Sequence, residues 1–513
     1  HPLSVADPSR DGGHCPYQAL PLLPGIWVAR LLGLRPTAIS LVWRAWGGFW
    51  AGLAWYVLSR CHLSRRWAAA ALAVLMLTDI GMLEFRPLLR LWFVAWQVWN
   101  GQAGGLFASK PLVFSQWRVA TPCLTMPFLL LFLALHARAR MSAGRGWRVA
   151  AGVGFGLLFY VYFYYWTAAA LALILATALD RGHRRDSVDA AWIGGLIGMP
   201  HVVFSYLMKR ATSDDWLLRS DKFLRIDRFS ELLIPKPAVV LLLVSLFVVW
   251  RHRRDLILLW SLAASGLALM NHQLITGLQV ENFHWGYVCG PCLSLLVGLL
   301  LVNWLSGRLG MAFLILLSSL SVGVALWLRS VEAVRTREPV QILATYQAYR
   351  DHRLRGSATP RLAPHAVIAA DELTADWAGI LEHVHPLSNY WVVLSPSVDN
   401  AELDFRVAFN AYVLGRDRPT FLASQTATPL GPAFRGAWGR DPAQQQRRLA
   451  SRLAWFDAVS AEPERYLRRT ELRYLLLPRD QSPPSGASWT EIQDGPHWSI
   501  WEPRVRETHH LRL

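Results

Sequence analysis

At 513 residues, with 53% hydrophobic and only 17% charged, the chain is too apolar for an ordinary water-soluble protein, so lipid is the expected solvent for much of it. The formal net charge of +17 raises nucleic acid as a partner, but the basic residues are mostly arginines in short loops between apolar runs. That is a membrane-orientation pattern, and it argues against nucleic acid.

The chain opens on a polar segment from His1 to Gln18 that contains Asp7, Arg10, Asp11, His14 and Tyr17. A carboxylate held at a membrane surface can act as a general base, taking the proton of an acceptor hydroxyl. Asp7 and Asp11 are therefore candidate catalytic residues, with His14 and Tyr17 as candidate binding residues; Asp-Pro and Asp-Gly are equally ordinary turn formers. No spanning helix precedes this polar start, and the expectation is that one has been removed or lies upstream of the sequence given.

Ten apolar runs follow, read as spanning helices at about Thr37–Ser59, Trp67–Leu83, Pro122–Ala137, Val149–Phe163, Tyr165–Ala178, Ala190–Met208, Ala238–Trp250, Leu256–Met270, Tyr287–Leu305 and Met311–Leu328. Crossing a hydrocarbon core of about 30 Å takes roughly 20 residues. The stretch from Val149 to Leu179 would be about 46 Å long as one helix, so it divides at the aromatic cluster Tyr160, Tyr162, Phe163, Tyr164, Tyr165 and Trp166, read as a tight hairpin at an interface; the alternative is one tilted helix. The 26 tryptophans suit headgroup depth, and a minority suit the faces of sugars.

Two loops between spans carry candidate binding residues. The loop Glu84–Thr121 sets Arg86, Arg90, Lys110 and Arg118 among Trp92, Trp96, Trp99 and Trp117, with an interfacial helix over Leu88–Trp99. Its arginines are suited to clamping a lipid phosphate, Arg118 best because it abuts a span, or to general attraction to headgroups. The loop Asn271–Gly286 carries Asn271, His272, Gln273, Thr276, Gln279, Glu281, Asn282 and His284 with no Lys or Arg to compensate. Polar groups so dense beside two spans fit a polar cavity that grips sugar hydroxyls or phosphate, or a solvated outer loop. Glu281 with His272 and His284 lacks a fixed metal-ligand spacing, so a divalent metal is possible but not indicated, and no cofactor is expected. Cys289-Gly-Pro-Cys292 spells a redox motif, but it opens an apolar span and reads as small residues with a helix-starting proline; a local disulfide stays open. His201, after Pro200, is read as a packed or cavity-lining histidine.

Past Arg329 the spans stop and an α/β pattern begins. Ala366–Ala370, Trp391–Ser395 and Tyr474–Pro478 are strand-length apolar runs. Asn400–Leu414 reads as a helix with Asp399 or Asn400 at its N-cap, Glu402 and Arg406 spaced i,i+4, and Gly415 at the C-terminal cap. Trp489–Ile492 and Trp498–Trp501 read as a terminal hairpin. The fold class is an α-helical polytopic membrane protein of about ten spans with a C-terminal soluble α/β domain, divided as 1–36, 37–329 and 330–513.

Arginine placement gives the spans a direction, because short cytoplasmic loops collect Lys and Arg. With the hairpin split, the arginines of 60–66, 138–148, 181–185, 251–254 and 308 fall on one side. The turn at Tyr164, the loop Asn271–Gly286, the N-terminal segment and the C-terminal domain fall on the other, the outer face of an inner or plasma membrane. The mixed-charge loop Lys209–Lys236 sits awkwardly on that outer side.

A polar outer loop with an acidic residue, then Pro16-Tyr17 and Leu20-Pro21-Leu22-Leu23-Pro24 before a span, resembles the first outer loop of the C-type superfamily of membrane glycosyltransferases. The many-helix core with a soluble outer C-terminal domain is similar too. The resemblance implies a sugar donor on a polyprenyl-phosphate carrier, transfer to an acceptor at the outer face, and a first-loop acid as base. The paired acidic motif frequent in that family is absent, since Asp7 and Asp11 are separated by Pro8-Ser9-Arg10. The expected partners are membrane lipids, a lipid-linked sugar donor and an acceptor left open. The alternative is a transporter or lipid-binding membrane protein with an extracytoplasmic interaction domain.

Overall fold

The computed structural model describes residues 4–6, 14–18, 20–34, 36–78, 124–142, 144–211, 222–225, 228–229, 232–234, 236–304, 308–335, 362–388, 392, 398–427, 442–494 and 498–504. The described chain is mostly helical, with a small sheet near its C-terminus.

Strands β1 (Ser4–Ala6) and β2 (His14–Gln18) pair antiparallel, a hairpin that the turn-forming sequence did not announce. Helix α1 (Leu23–Leu31) leads into ten helices, one at each position read as a span: α2 (Pro36–His62), α3 (Arg66–Leu77), α4 (Met126–Ser142), α5 (Arg145–Leu158), α6 (Phe163–Leu179), α7 (Arg184–Ala211), α8 (Lys236–His252), α9 (Ile257–Met270), α10 (Gly286–Trp304) and α11 (Arg308–Arg335). Among the described residues, two helical stretches are long and apolar enough to cross a membrane, 181–207 and Gly286–Trp304, and four shorter ones are apolar: Arg66–Leu77, Phe163–Leu179, Ala238–His252 and Gly310–Gly323. One continuous apolar core runs through the bundle from Trp55 and Leu72 through Phe132 and Tyr165 to Leu262 and Leu296.

The run from 145 to 179 is two helices, not one. Helix α5 ends at Leu158 and α6 begins at Phe163, with Tyr162 in extended backbone (φ −165°, ψ 126°) before it. The break therefore lies at 159–162, a few residues before the expected hinge at Tyr164. Aromatic bulk fixes the turn: Phe159 stacks on Trp166 with ring centres 4.5 Å apart at 14°, and Tyr160 donates its hydroxyl to the Ile197 carbonyl at 2.9 Å.

Glycines let α5 and α7 approach closely, because a residue without a Cβ leaves room for the facing helix. A Cβ on Gly152 would stand 2.6 Å from the Ile193 Cβ, one on Gly156 2.6 Å from the Ile197 Cβ, and one on Gly194 2.3 Å from the Phe155 ring and 2.9 Å from the Gly152 carbonyl. The same device joins α9 to α10, where a Cβ on Gly266 would lie 2.8 Å from the Cys289 backbone nitrogen. Cys289 and Cys292 are buried free thiols on α10, so the redox reading of Cys289-Gly-Pro-Cys292 gives way to helix packing.

The C-terminal region carries a five-stranded sheet in the order β6-β5-β7-β9-β8: β5 (Val367–Ala369), β6 (His385–Pro386), β7 (Leu472–Pro478), β8 (Trp489–Asp494) and β9 (Trp498–Pro503). The first three are parallel neighbours, and the terminal hairpin adds two antiparallel strands. Helix α12 (Glu372–Glu382) follows β5. Helices α13 (Asn400–Val413), α14 (Arg418–Ala427), α15 (Pro442–Ala461) and α16 (Pro463–Thr470) precede β7. Helix α13 starts as its sequence demands: Asp399 accepts from the Glu402 amide at 2.7 Å, Arg406 pairs with Glu402 at 2.8 Å, and Gly415 takes φ +69° just past the end. The run Trp391–Ser395, read as a strand, is described only at Val392, which is helical and packs with Val398 and Leu403. A short apolar run cannot by itself tell a buried strand from a buried helical turn.

Candidate functional site

The connection from α9 to α10 folds back on the aromatic turn between α5 and α6. A helical turn over Gln273–Thr276 ends at Gly277, whose φ of +65° lets its N–H donate a hydrogen bond to the Gln273 carbonyl at 2.8 Å. Strand β4 (Leu278–Val280) follows and pairs antiparallel with β3 (Lys222–Arg225), which brings those residues of the mixed-charge stretch to this connection. A 3-10 turn over Asn282–Trp285 then starts α10.

Two of the side chains expected to bind ligand, Asn271 and Thr276, make hydrogen bonds within the loop and to its neighbours. The Asn271 amide accepts from the Leu233 N–H at 2.9 Å and donates to the Leu233 carbonyl at 3.0 Å and to Leu267 at 3.1 Å, imitating a strand partner and using both its ends. The Thr276 hydroxyl donates to the His272 carbonyl at 3.1 Å and accepts from the Leu278 amide at 3.2 Å. Gln273 is fully buried. The Asn271 and Thr276 side chains thus satisfy backbone groups of this connection and of Leu233.

Glu281, His284 and His272 remain beside the aromatic cluster. Glu281 accepts a hydrogen bond from the Tyr164 hydroxyl at 3.0 Å, and its side chain is 31% exposed. His284, 15% exposed, places Nε2 3.9 Å from the same carboxylate; its ring stacks on Tyr164 (4.7 Å, 19°), and its Nδ1 shares a hydrogen bond with the Tyr162 hydroxyl. Trp285 donates its indole N–H to Thr167 at 3.0 Å and meets the Tyr164 ring edge-on. His272 packs edge-on against Trp285, and its Nδ1 donates to the Leu269 carbonyl at 2.9 Å, leaving Nε2 as the acceptor. Burial pushes His272 below the ordinary imidazole range, against the effect of that hydrogen bond.

Glu281 takes φ +40°, a left-handed backbone costly for a residue with a Cβ. The carboxylate meets Tyr164 and the imidazole meets Tyr162, so a carboxylate, an imidazole and two phenols lie together, groups that can exchange protons and pair with hydroxyls. Tyr162 and Tyr164 are read from the sequence only as aromatics of a hairpin at an interface. Their contribution was legible in one signal, the absence of Lys and Arg from both connections, which had put the turn and the loop on one side.

Gln279 stands on β4 opposite Leu224, and His14 and Tyr17 stand on β2, with His14 opposite Ala6. Asp7, Asp11, Arg86 and Arg118 lie outside the described residues, as does the interfacial helix expected at Leu88–Trp99. Among the described residues no three His, Cys, Asp or Glu side chains converge to hold a metal ion.

Beside this end, an apolar cavity of about 270 Å³ opens between α1, α2 and α4, lined by Pro21, Pro24, Trp46, Trp50, Pro127 and Leu131 among others. Thr125, next to Leu124 of its wall, stands 3.4 Å from the Tyr165 hydroxyl, and Tyr165 meets Tyr162 edge-on at 4.9 Å.

No family model and no curated protein matches the chain. Among solved structures it is similar to the archaeal oligosaccharyltransferase AglB from Archaeoglobus fulgidus, determined in complex with an inhibitory peptide and a dolichol-phosphate. The TM-score is 0.42 at 10% identity, over 93% of this chain and 63% of that one. The chain thus spans under two thirds of that protein's length.

Proposed function

We propose that the chain is a glycosyltransferase-like membrane protein that moves a sugar from a polyprenyl-phosphate carrier to an acceptor at the outer membrane face. The observation that carries this reading is the Glu281–Tyr164–His284–Tyr162 cluster, a hydrogen-bonding surface with aromatic walls where two connections that themselves carry no Lys or Arg meet. Rings flanked by a carboxylate and an imidazole suit a pyranose, whose faces stack and whose hydroxyls pair. The neighbouring apolar cavity suits a hydrocarbon tail.

In this reading the ten helices span the membrane and the C-terminal domain stands outside it. Asp7 or Asp11 takes the acceptor proton, Arg86 and Arg118 hold the phosphate, and Glu281, His284 and His272 position sugar hydroxyls.

The test is transfer of radiolabelled sugar from short-chain polyprenyl-phosphate donors by the full chain in detergent. The Asp7→Asn/Asp11→Asn double variant is expected to lose at least a hundredfold in rate, the usual range for a general base. Glu281→Gln is expected to weaken donor binding with a smaller effect on the rate at saturation. Full transfer by the Asp7/Asp11 variant would remove the base assignment, and unchanged donor binding in Glu281→Gln would remove the site.

A further inference from the structure

The opposite end of the bundle has a different chemistry that transfer does not use. Thirteen arginines stand in the stretches 60–66, 138–148, 180–189 and 251–255, against four aspartates and no Lys or Glu. The four stretches form one surface. His62 pairs with Asp255 at 3.0 Å, Arg253 reaches the His62 carbonyl at 3.5 Å, Arg140 donates to the Arg254 carbonyl at 3.0 Å and pairs with Asp180 at 2.6 Å, and Arg148 pairs with Asp189 at 3.1 Å.

These contacts occupy all four aspartates: Asp186 is held by His183 at 3.1 Å and Asp255 also by Arg253 at 2.8 Å. The arginines engaged are Arg140, Arg148 and Arg253, with Arg185 3.8 Å from Asp189 at the rim. Arg65, Arg66, Arg145, Arg181, Arg184 and Arg251 are exposed and have no carboxylate partner among the described residues. Trp147 and Trp250 are exposed at the same level, and the Arg254 guanidinium lies 5.6 Å from the Trp250 ring centre. Exposed tryptophans beside guanidinium groups at the ends of apolar helices are the make-up of a headgroup layer: the indole sits at the boundary, and the guanidinium forks match phosphate oxygens.

We propose that this arginine-laced end is a binding surface for anionic phospholipid headgroups, so that the protein selects acidic lipids at the face opposite its candidate site. The proposal rests on the membrane-spanning reading, and its ligand is the phosphodiester of a lipid anchored beside the helices. An arginine near an acidic membrane surface strengthens attraction about five-fold, and the attraction is screened within a Debye length of about 8 Å at physiological salt.

The experiment measures affinity of the full chain in detergent for short-chain phosphatidylglycerol, phosphatidylcholine and inorganic phosphate, each at 0.05 M and 0.5 M NaCl. Phosphatidylglycerol is expected to bind at least tenfold more tightly than phosphatidylcholine. The preference should fall several-fold at high salt, and at least tenfold in Arg65→Gln/Arg66→Gln/Arg184→Gln/Arg185→Gln, with phosphatidylcholine binding unchanged as the sign of an intact fold. Equal affinity for the two lipids, or a preference that survives both salt and the four substitutions, overturns the proposal. Inorganic phosphate competing at equal concentration overturns the lipid as ligand. Alkaline extraction of native membranes tests the reading beneath it: a chain released by carbonate is not integral and both fail, whereas a retained chain with no lipid preference loses this proposal alone.

Discussion

The Tyr164 hydroxyl donates to the Glu281 carboxylate at 3.0 Å, tying the aromatic turn of one helical hairpin to a loop 117 residues further on. Tyr164 is buried and Glu281 is held at φ +40°, so the bond joins a rigid donor to a strained acceptor. Tyr164→Phe is expected to lower stability in detergent by about 1–2 kcal/mol, the worth of a partly buried hydrogen bond to a charged group. Glu281→Gln should cost less, since an amide oxygen still accepts. The double variant should show a coupling of about 1 kcal/mol. Strictly additive losses in thermal unfolding would mean that the two side chains touch without supporting each other.

Close approach of α5 and α7 makes a second expectation with its own control. A methyl at Gly194 would meet the Phe155 ring at 2.3 Å and the Gly152 carbonyl at 2.9 Å, while one at Gly195 meets nothing within 4 Å. Gly194→Ala is expected to destabilise by about 1–3 kcal/mol through overpacking. Gly195→Ala should be neutral or stabilise by up to about 1 kcal/mol, because alanine is the better helix former. Equal thermal shifts for the two variants would place the helices further apart than described.

Particular residues show how far the sequence carries. The helices were legible because apolar runs separated by arginine turns leave few alternatives, and the caps Asp399 and Gly415 were legible because capping is local chemistry. The placement of Tyr164 against Glu281 followed only by sidedness, since nothing local in either segment names the other. The backbone contacts of Asn271 and Thr276 are not legible, because a polar side chain looks the same in sequence whether it meets a sugar or the Leu233 backbone. The hinge was placed at Tyr164 rather than 159–162 because six crowded aromatics mark a turn without saying which of them leaves the helix.

At the arginine-rich end, acid should expose Asp255. Its carboxyl is pushed up by burial but held well below the usual carboxylate range by hydrogen bonds from Arg253 and His62. A carboxyl whose folded value lies below its unfolded value of about 3.9 contributes stability that is complete above that value and is lost as pH falls toward the folded value. Its side chain is 42% exposed, so screening limits the contribution to no more than about 1 kcal/mol. Thermal stability measured from pH 6 to pH 3 should fall more steeply for the native chain than for Asp255→Asn, the two curves converging in acid. Parallel curves would show that the pair with Arg253 contributes nothing to acid sensitivity.

The C-terminal domain holds its charge differently. Asp404 is 1% exposed and receives the Arg452 Nε at 2.9 Å and the Arg448 Nη2 at 2.8 Å, while Arg452 also bonds Gln425. Burial pulls Arg452 down to about 10, with Asp404 opposing it, so the guanidinium is charged near neutral pH and the carboxylate compensates the charge out of water. Asp404→Asn strands that charge between α13 and α15 and is expected to cost about 3–5 kcal/mol. Asp404→Leu/Arg452→Met removes both members of the pair, and since packed apolar side chains can replace a buried ion pair without loss, most of that stability should return. Limited proteolysis of the full chain reads the difference: rapid cleavage within 398–504 in Asp404→Asn, and near-native resistance in the double variant. A double variant as labile as the single one would show that the pair supplies the helix packing itself and not merely compensation for a buried charge.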